Sequence, residues 1–144
     1  MDLEALKAEW VGLDFDEKKF DLSAEQLRVF AVACGEEEPR FIDPNDPDFQ
    51  AAPTFVTTLR SARVLPSGFP NLGRPFDAGK KVILHAPIRG GDQLIGGSRI
   101  SDIYSKTGRG GPMIFVVHEM EFRNQRDELV AVVDSRQINQ PEAK

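Results

Sequence analysis

The chain has one cysteine, two histidines, one tryptophan and one tyrosine. A single cysteine closes no internal disulfide, and one cysteine with two scattered histidines offers no metal-ligand spacing, so no metal is implied. No Gly-x-Ser-x-Gly elbow is present. A run of ~20 apolar residues, enough to span a bilayer, is also missing. Repeats and low-complexity tracts are absent. So is any excess of positive charge: the net charge is −5, which argues against nucleic acid or an anionic membrane as the main partner. The scarcity of cysteine, with no signal-peptide pattern at the start, leads us to expect a reducing cytoplasm.

What is there is globular in composition. The 144 residues are 40% hydrophobic, enough for a single domain over residues 1–144 with a short tail at 139–144. Leu3, Leu6 and Trp10 recur at helical spacing and Gly12 ends the pattern, so a short amphipathic helix is expected on the edge of the domain. Phe15 to Leu22 is a strand candidate. Ser23 opens the clearest helix. Ser23 and Gln26 have capping-box spacing, Leu27, Phe30, Ala31 and Cys34 form one apolar face, and Gly35 is a natural stop. On that face Cys34 reads as an inert core thiol, with no basic neighbour to lower its pKa.

Asp43 to Pro53 reads as a loop. Thr54 to Arg63 is ambiguous, β-branched like a strand but proline-led and amphipathic like a helix. Val64 to Gly79 is rich in proline and glycine and reads as a long loop. Its Phe69, Leu72 and Phe76 either line a tunnel or subunit contact or pin the loop to the core. Four strands follow: Lys81 to Ile88, Gln93 to Ser105, Met113 to Asn124 and Glu128 to Ile138. Short turns join them, so they form an antiparallel meander. Ile114, Val116, His118, Met120 and Phe122 share one face of the third. His118, and His85 on the first, read as hydrogen-bonded core histidines rather than catalysts.

One stretch organises the rest. It runs Phe30-Ala31-Val32-Ala33-Cys34-Gly35-Glu36-Glu37-Glu38-Pro39-Arg40-Phe41-Ile42-Asp43-Pro44. It resembles the hydratase motif of the MaoC-like dehydratases, (R)-specific enoyl-thioester hydratases with a hot-dog fold. Phe30, Gly35, Pro39, Asp43 and Pro44 match that motif. The family's catalytic Asp falls on Glu36 and its catalytic His on Phe41. Ala52-Pro53-Thr54-Phe55 is similar to the family's entry to a central helix, which makes Thr54 to Arg63 that helix. Pro87 to Asp92 is similar to its Pro-x-x-x-Gly-Asp turn. Ser101 to Gly111 and Asn124 to Val130 are similar to its last hairpins. Within the family, the N-terminal-type or FAS1-like dehydratase domains are most similar.

The resemblance implies an α+β hot-dog domain, an antiparallel sheet wrapped around a central helix. It implies an acyl-CoA or acyl-carrier-protein thioester as substrate, no cofactor, and a dimer. Hydration of a 2-enoyl thioester needs a base, an acid and donors to the carbonyl. Glu36 is the candidate base, against a plain solvated acidic loop at Glu36 to Glu38. Phe41 transfers no proton. The resemblance therefore points first to a substrate-binding subunit paired with a catalytic MaoC-like chain. Phe41, Pro53, Thr54, Arg89 and Arg109 are its candidate substrate-binding residues. Lys80, Lys81, Arg89 and Arg109 are candidates to meet carrier phosphates, against ordinary surface solvation. A self-sufficient homodimeric hydratase, a hot-dog thioesterase and a non-enzymatic acyl-thioester-binding module remain open. The thioesterase is weakened because Thr54 to Arg63 holds no carboxylate.

Overall fold

The computed structural model describes residues 2–141. Asp2 caps the first helix, α1 (Leu3–Trp10), by accepting from the Ala5 N–H at 3.1 Å, and Gly12 follows it at φ +88°. Strand β1 spans Asp14–Asp21 and helix α2 spans Ala24–Ala33. The Ser23 hydroxyl accepts from the Gln26 N–H at 3.1 Å, the hydroxyl's half of the expected capping box. At the other end the Glu36 N–H donates to Ala31 and the Gly35 N–H to Val32, both at 3.0 Å. With Gly35 at φ +80° this is a Schellman stop.

Cys34 differs from the expectation. It is exposed because burial on α2 reaches only Leu27 and Ala31. Cys34 is the C-cap, where the chain already turns off the core.

A single turn, α3 (Pro39–Ile42), comes next. The expected central helix at Thr54 to Arg63 is absent. One 3-10 turn, Phe55–Thr58, stands in its place. The Thr57 hydroxyl donates to the Thr54 carbonyl at 2.7 Å and the Thr58 hydroxyl to Phe55 at 2.8 Å. Such back-bonding, added to β-branching, disfavours continuation as helix.

The loop expected over Val64 to Gly79 ends early, because strand β2 spans Arg74–Leu84. Pro75 and a bulge between Asp77 and Lys80 disguise it, and both are tolerated because β2 is an edge strand. His85, expected on that strand, lies exposed just past its end. Strands β3 (Gln93–Gly108), β4 (Gly111–Arg123) and β5 (Leu129–Gln140) form the expected meander. Asn139 and Gln140, assigned above to a tail, extend β5. The rest of that tail, 142–144, lies outside the described residues.

The sheet has five strands in the order β1-β3-β4-β5-β2, all antiparallel. β1 and β2 are the two edges, so the chain between them must cross the sheet. That crossing carries α2, α3 and the 3-10 turn over one face. Two of the apolar clusters lie against the sheet. In one, Leu27, Phe55, Val56 and Leu59 cover Leu94, Met120, Phe122 and Val133. In the other, Leu6 and Leu72 cover Ile100, Ile103, Ile114 and Val116. Phe69 packs edge-on against Trp10 at 5.4 Å, so Phe69 and Leu72 do pin the loop. Gly96 lets the first cluster pack closely, since a Cβ there would press on the flexible end of Met120 and crowd the Phe122 ring.

Candidate functional site

The loop after α2 supplies the residues the motif singles out. Glu36 is half-buried on the Schellman turn. Glu37 is exposed, and Glu38 pairs with Arg40 at 2.6 Å. Phe41 is 6% exposed and packs on Ala31 and Ala52, with the Arg40 guanidinium 4.6 Å over its ring. Phe41 thus presents a packed hydrocarbon side chain five residues after Glu36. Pro53 and Thr54 are exposed at the entry to the 3-10 turn.

Arg89 is already engaged. One guanidinium nitrogen donates to Asp48 at 3.1 Å and to the Phe49 carbonyl at 3.0 Å, tying the 43–53 loop to the next turn. There the Asp92 side chain, 4% exposed, accepts from the Arg89 N–H at 2.8 Å and from Gln125 at 3.0 Å. Arg109 sits in the β3–β4 turn, beyond the far end of the 16-residue strand β3. At ~3.3 Å per residue that is roughly 50 Å of strand from the turn carrying Arg89. The structure thus brings Glu36 and Phe41 to one loop and Pro53 and Thr54 to its neighbour. Arg109 is not brought to them.

A feature that sequence reasoning missed lies between the two clusters. Where a central helix would fill the covered face, the short 3-10 turn leaves a cavity of about 490 Å³. Its floor is β4 and β5: Val116, His118, Met120, Val133, Ser135 and Gln137. Val56, Leu59 and Val64 form its cover. Arg60, Phe76, Asp77, Lys80 and Arg136 stand at its exposed rim. Strand alternation in Ile114 to Phe122 signalled the floor. The cover was hidden by the helix expected there.

His118 is the polar centre of that floor. It is 8% exposed and faces Ser135 across the β4–β5 ladder, with Lys80 opposite Ser135 on β2. Phe15 tilts against its ring at 5.7 Å. Its Nε2 is buried without a hydrogen-bond partner among the described residues, so it is a core histidine but not the satisfied one expected. Burial holds it below the ordinary imidazole range. Lys80 adds to that shift, and Asp16 and Asp134 oppose it.

The FAS1-like, dehydratase domain region model matches residues 9–133. The chain belongs to this family. None of the curated proteins matches this FAS1-like dehydratase domain in sequence. Solved structures do match in fold. A chain of the C-terminally truncated HadBC (3R-hydroxyacyl-ACP dehydratase) complex from Mycobacterium tuberculosis superposes with a TM-score of 0.72. It is 23% identical over 96% of this chain and 98% of that one. The MaoC-like dehydratase from Rhodospirillum rubrum gives a TM-score of 0.65 at 21% identity, over 93% of this chain and 94% of that one. A chain of the ChsH1–ChsH2 complex from Mycobacterium tuberculosis gives 0.70 at 16% identity, over 99% and 91%. The FAS1-like dehydratase domain thus has the hot-dog fold of the MaoC-like dehydratases, as the motifs implied, with its central helix reduced to one turn.

Proposed function

We propose that this chain is the substrate-binding subunit of an (R)-specific enoyl-thioester hydratase/3-hydroxyacyl-thioester dehydratase. The burial of Phe41 at the family's histidine position carries the reading. A ring packed on Ala31 and Ala52 can neither activate water nor return a proton. Glu36 alone lacks the second group the reaction needs, so a partner MaoC-like chain supplies the Asp and His. This chain contributes the cavity, whose apolar walls suit the acyl group of a CoA or carrier-protein thioester.

Edge strand β2 is the surface for that partner. Phe76, Ile83 and Leu84 are exposed along it, at 45%, 38% and 47%, and its outer backbone groups are free to extend the sheet. Two of the similar structures, HadBC and ChsH1–ChsH2, are complexes of paired chains, which supports a heterodimer. Lys80 at the cavity rim is better placed to meet a carrier phosphate than Arg89, whose guanidinium already bonds Asp48.

The test is hydration of crotonyl-CoA by the pure chain and by its complex with a catalytic MaoC-like subunit. The chain alone should give little or no turnover, and the complex should exceed either subunit alone. Stereospecific turnover by the chain alone at about 1 per second or faster would overturn the reading. It would favour the self-sufficient homodimer. Thioester hydrolysis without hydration would favour the thioesterase.

A further inference from the structure

The floor of the cavity is apolar except along one line; its other polar and charged groups, Thr57, Arg60, Ser61, Asp77 and Arg136, belong to the cover and rim. His118, Ser135 and Lys80 occupy successive strands in a single cross-strand row, and Gln137 lies one position along β5 on the same face, opposite Val116. At the deep end of this row is His118, more than nine-tenths buried, with Nε2 unpartnered. Buried polar groups are nearly always paired. A leucine or methionine in this position would finish the floor with no unpaired atom, as Met120 does beside it. His118 lines the cavity, and a plain alkyl chain lying over it would offer the imidazole no partner.

We infer that the cavity selects acyl groups that carry an uncharged oxygen, a hydroxyl or a ketone, beyond the reacting carbons, and that His118 hydrogen-bonds that oxygen. The inference rests on the proposal that this cavity holds the acyl group, and it names the class of acyl group. A neutral imidazole is suited to the task, since it donates from one nitrogen and accepts at the other and so meets either function. Burial, aided by Lys80, favours that neutral form. At His118 itself a carboxylate is the poorer fit, because a neutral imidazole does not compensate its desolvation and the cations Arg60, Lys80 and Arg136 stand out at the exposed rim. Ser135, next in the row, can hold a hydroxyl or a water relayed from His118. His118 is then a specificity-determining residue, and no part of the hydration chemistry is assigned to it.

Saturated thioesters isolate binding from turnover. The probes are decanoyl-CoA and decanoyl-CoA bearing a hydroxyl at C5, C7 or C9, titrated by calorimetry into the full chain in its native assembly. At least one hydroxylated thioester should bind on the order of tenfold tighter than decanoyl-CoA, the scale of a single buried hydrogen bond. His118→Phe should abolish that preference while leaving decanoyl-CoA binding equal or tighter. His118→Gln keeps a donor and an acceptor and should retain part of the preference, which a merely structural role would not do. Equal binding of all four probes by the unsubstituted protein would overturn the inference and leave the acyl-binding reading intact. So would a preference that survives His118→Phe. Binding of none of them would overturn both.

Discussion

The guanidinium of Arg40 lies 4.6 Å over the ring of Phe41. One face of the ring is thus closed by a cation, while the rest packs on Ala31 and Ala52. The arrangement treats position 41 as part of the core. Phe41→Ala should therefore destabilise the protein by about 3–5 kcal/mol, the usual result of emptying a buried aromatic site. Urea denaturation reads this directly. An unchanged midpoint with altered acyl preference would instead make the ring a wall of an open site.

The parts of the fold that were legible in the sequence are those fixed by local chemistry. Ser23 with Gln26 marked the start of α2, and Gly35 its stop, because capping and a positive φ demand particular residue types. The β4 face was legible for the same reason: alternation from Ile114 to Phe122 has one period and one meaning. The misread parts were decided by position in the fold. Pro75 argues against a strand unless the strand is an edge, which only the sheet order reveals. The proline-led, amphipathic pattern at Thr54 to Arg63 suits a helix, and the Thr57 and Thr58 hydroxyls turned it into one turn. Cys34 continues an apolar face that the core stops covering after Ala31. The cavity is a consequence of the missing helix, so no reading that assumed the helix could contain it.

His118 gives a pH signature. The ordinary imidazole value is 6.5, and the folded value lies below it, burial being the main cause. Between the two values the unfolded chain binds a proton that the native chain refuses. Its contribution to stability is whole above pH 6.5, falls as pH drops through that value, and levels off below the folded value. His118→Phe should flatten this part of the stability–pH curve. A slope unchanged by the substitution would assign it to other groups.

Glu119 should behave in the opposite sense. Burial raises its pKa above the ordinary 4.5, helped by Asp134 and Glu121 and opposed by Arg99 at 3.5 Å. Here the native state holds the proton that the unfolded state releases. Stability is lost as pH rises from 4.5 through the folded value, and the loss persists at neutral pH. Glu119→Gln should recover up to about 1 kcal/mol at pH 7 and make no such gain at pH 4. Arg99 keeps Glu121 at 3.1 Å and Asp14 at 3.6 Å, so it is not stranded. A loss of stability at pH 7 would mean that the Arg99 pair outweighs burial and repulsion.

The proposed partner surface can be tested without touching the cavity floor. Bare edge strands are normally protected by charge, proline or a bulge. On β2 the first half has all three, with Pro75, the Asp77–Lys80 bulge, and Lys80 and Lys81. The second half, Val82 to Leu84, has none, and Ile83 and Leu84 stand exposed there. That asymmetry marks the stretch where another strand can add, extending the sheet beyond five strands. Replacing both Ile83 and Leu84 by lysine places charge on an edge already open to water, so the fold itself should change by no more than about 0.5 kcal/mol. Pairing should fail. Light scattering should show the unsubstituted chain as a dimer, with itself or with a catalytic subunit, and the doubly substituted chain as a monomer of unchanged circular dichroism. Hydration activity of the complex should disappear with it, since the catalytic residues would no longer reach the acyl group. A substituted chain that still dimerises and still supports hydration would move the contact off β2. The exposed Val29 and Val32 of α2 would then be the next surface to substitute.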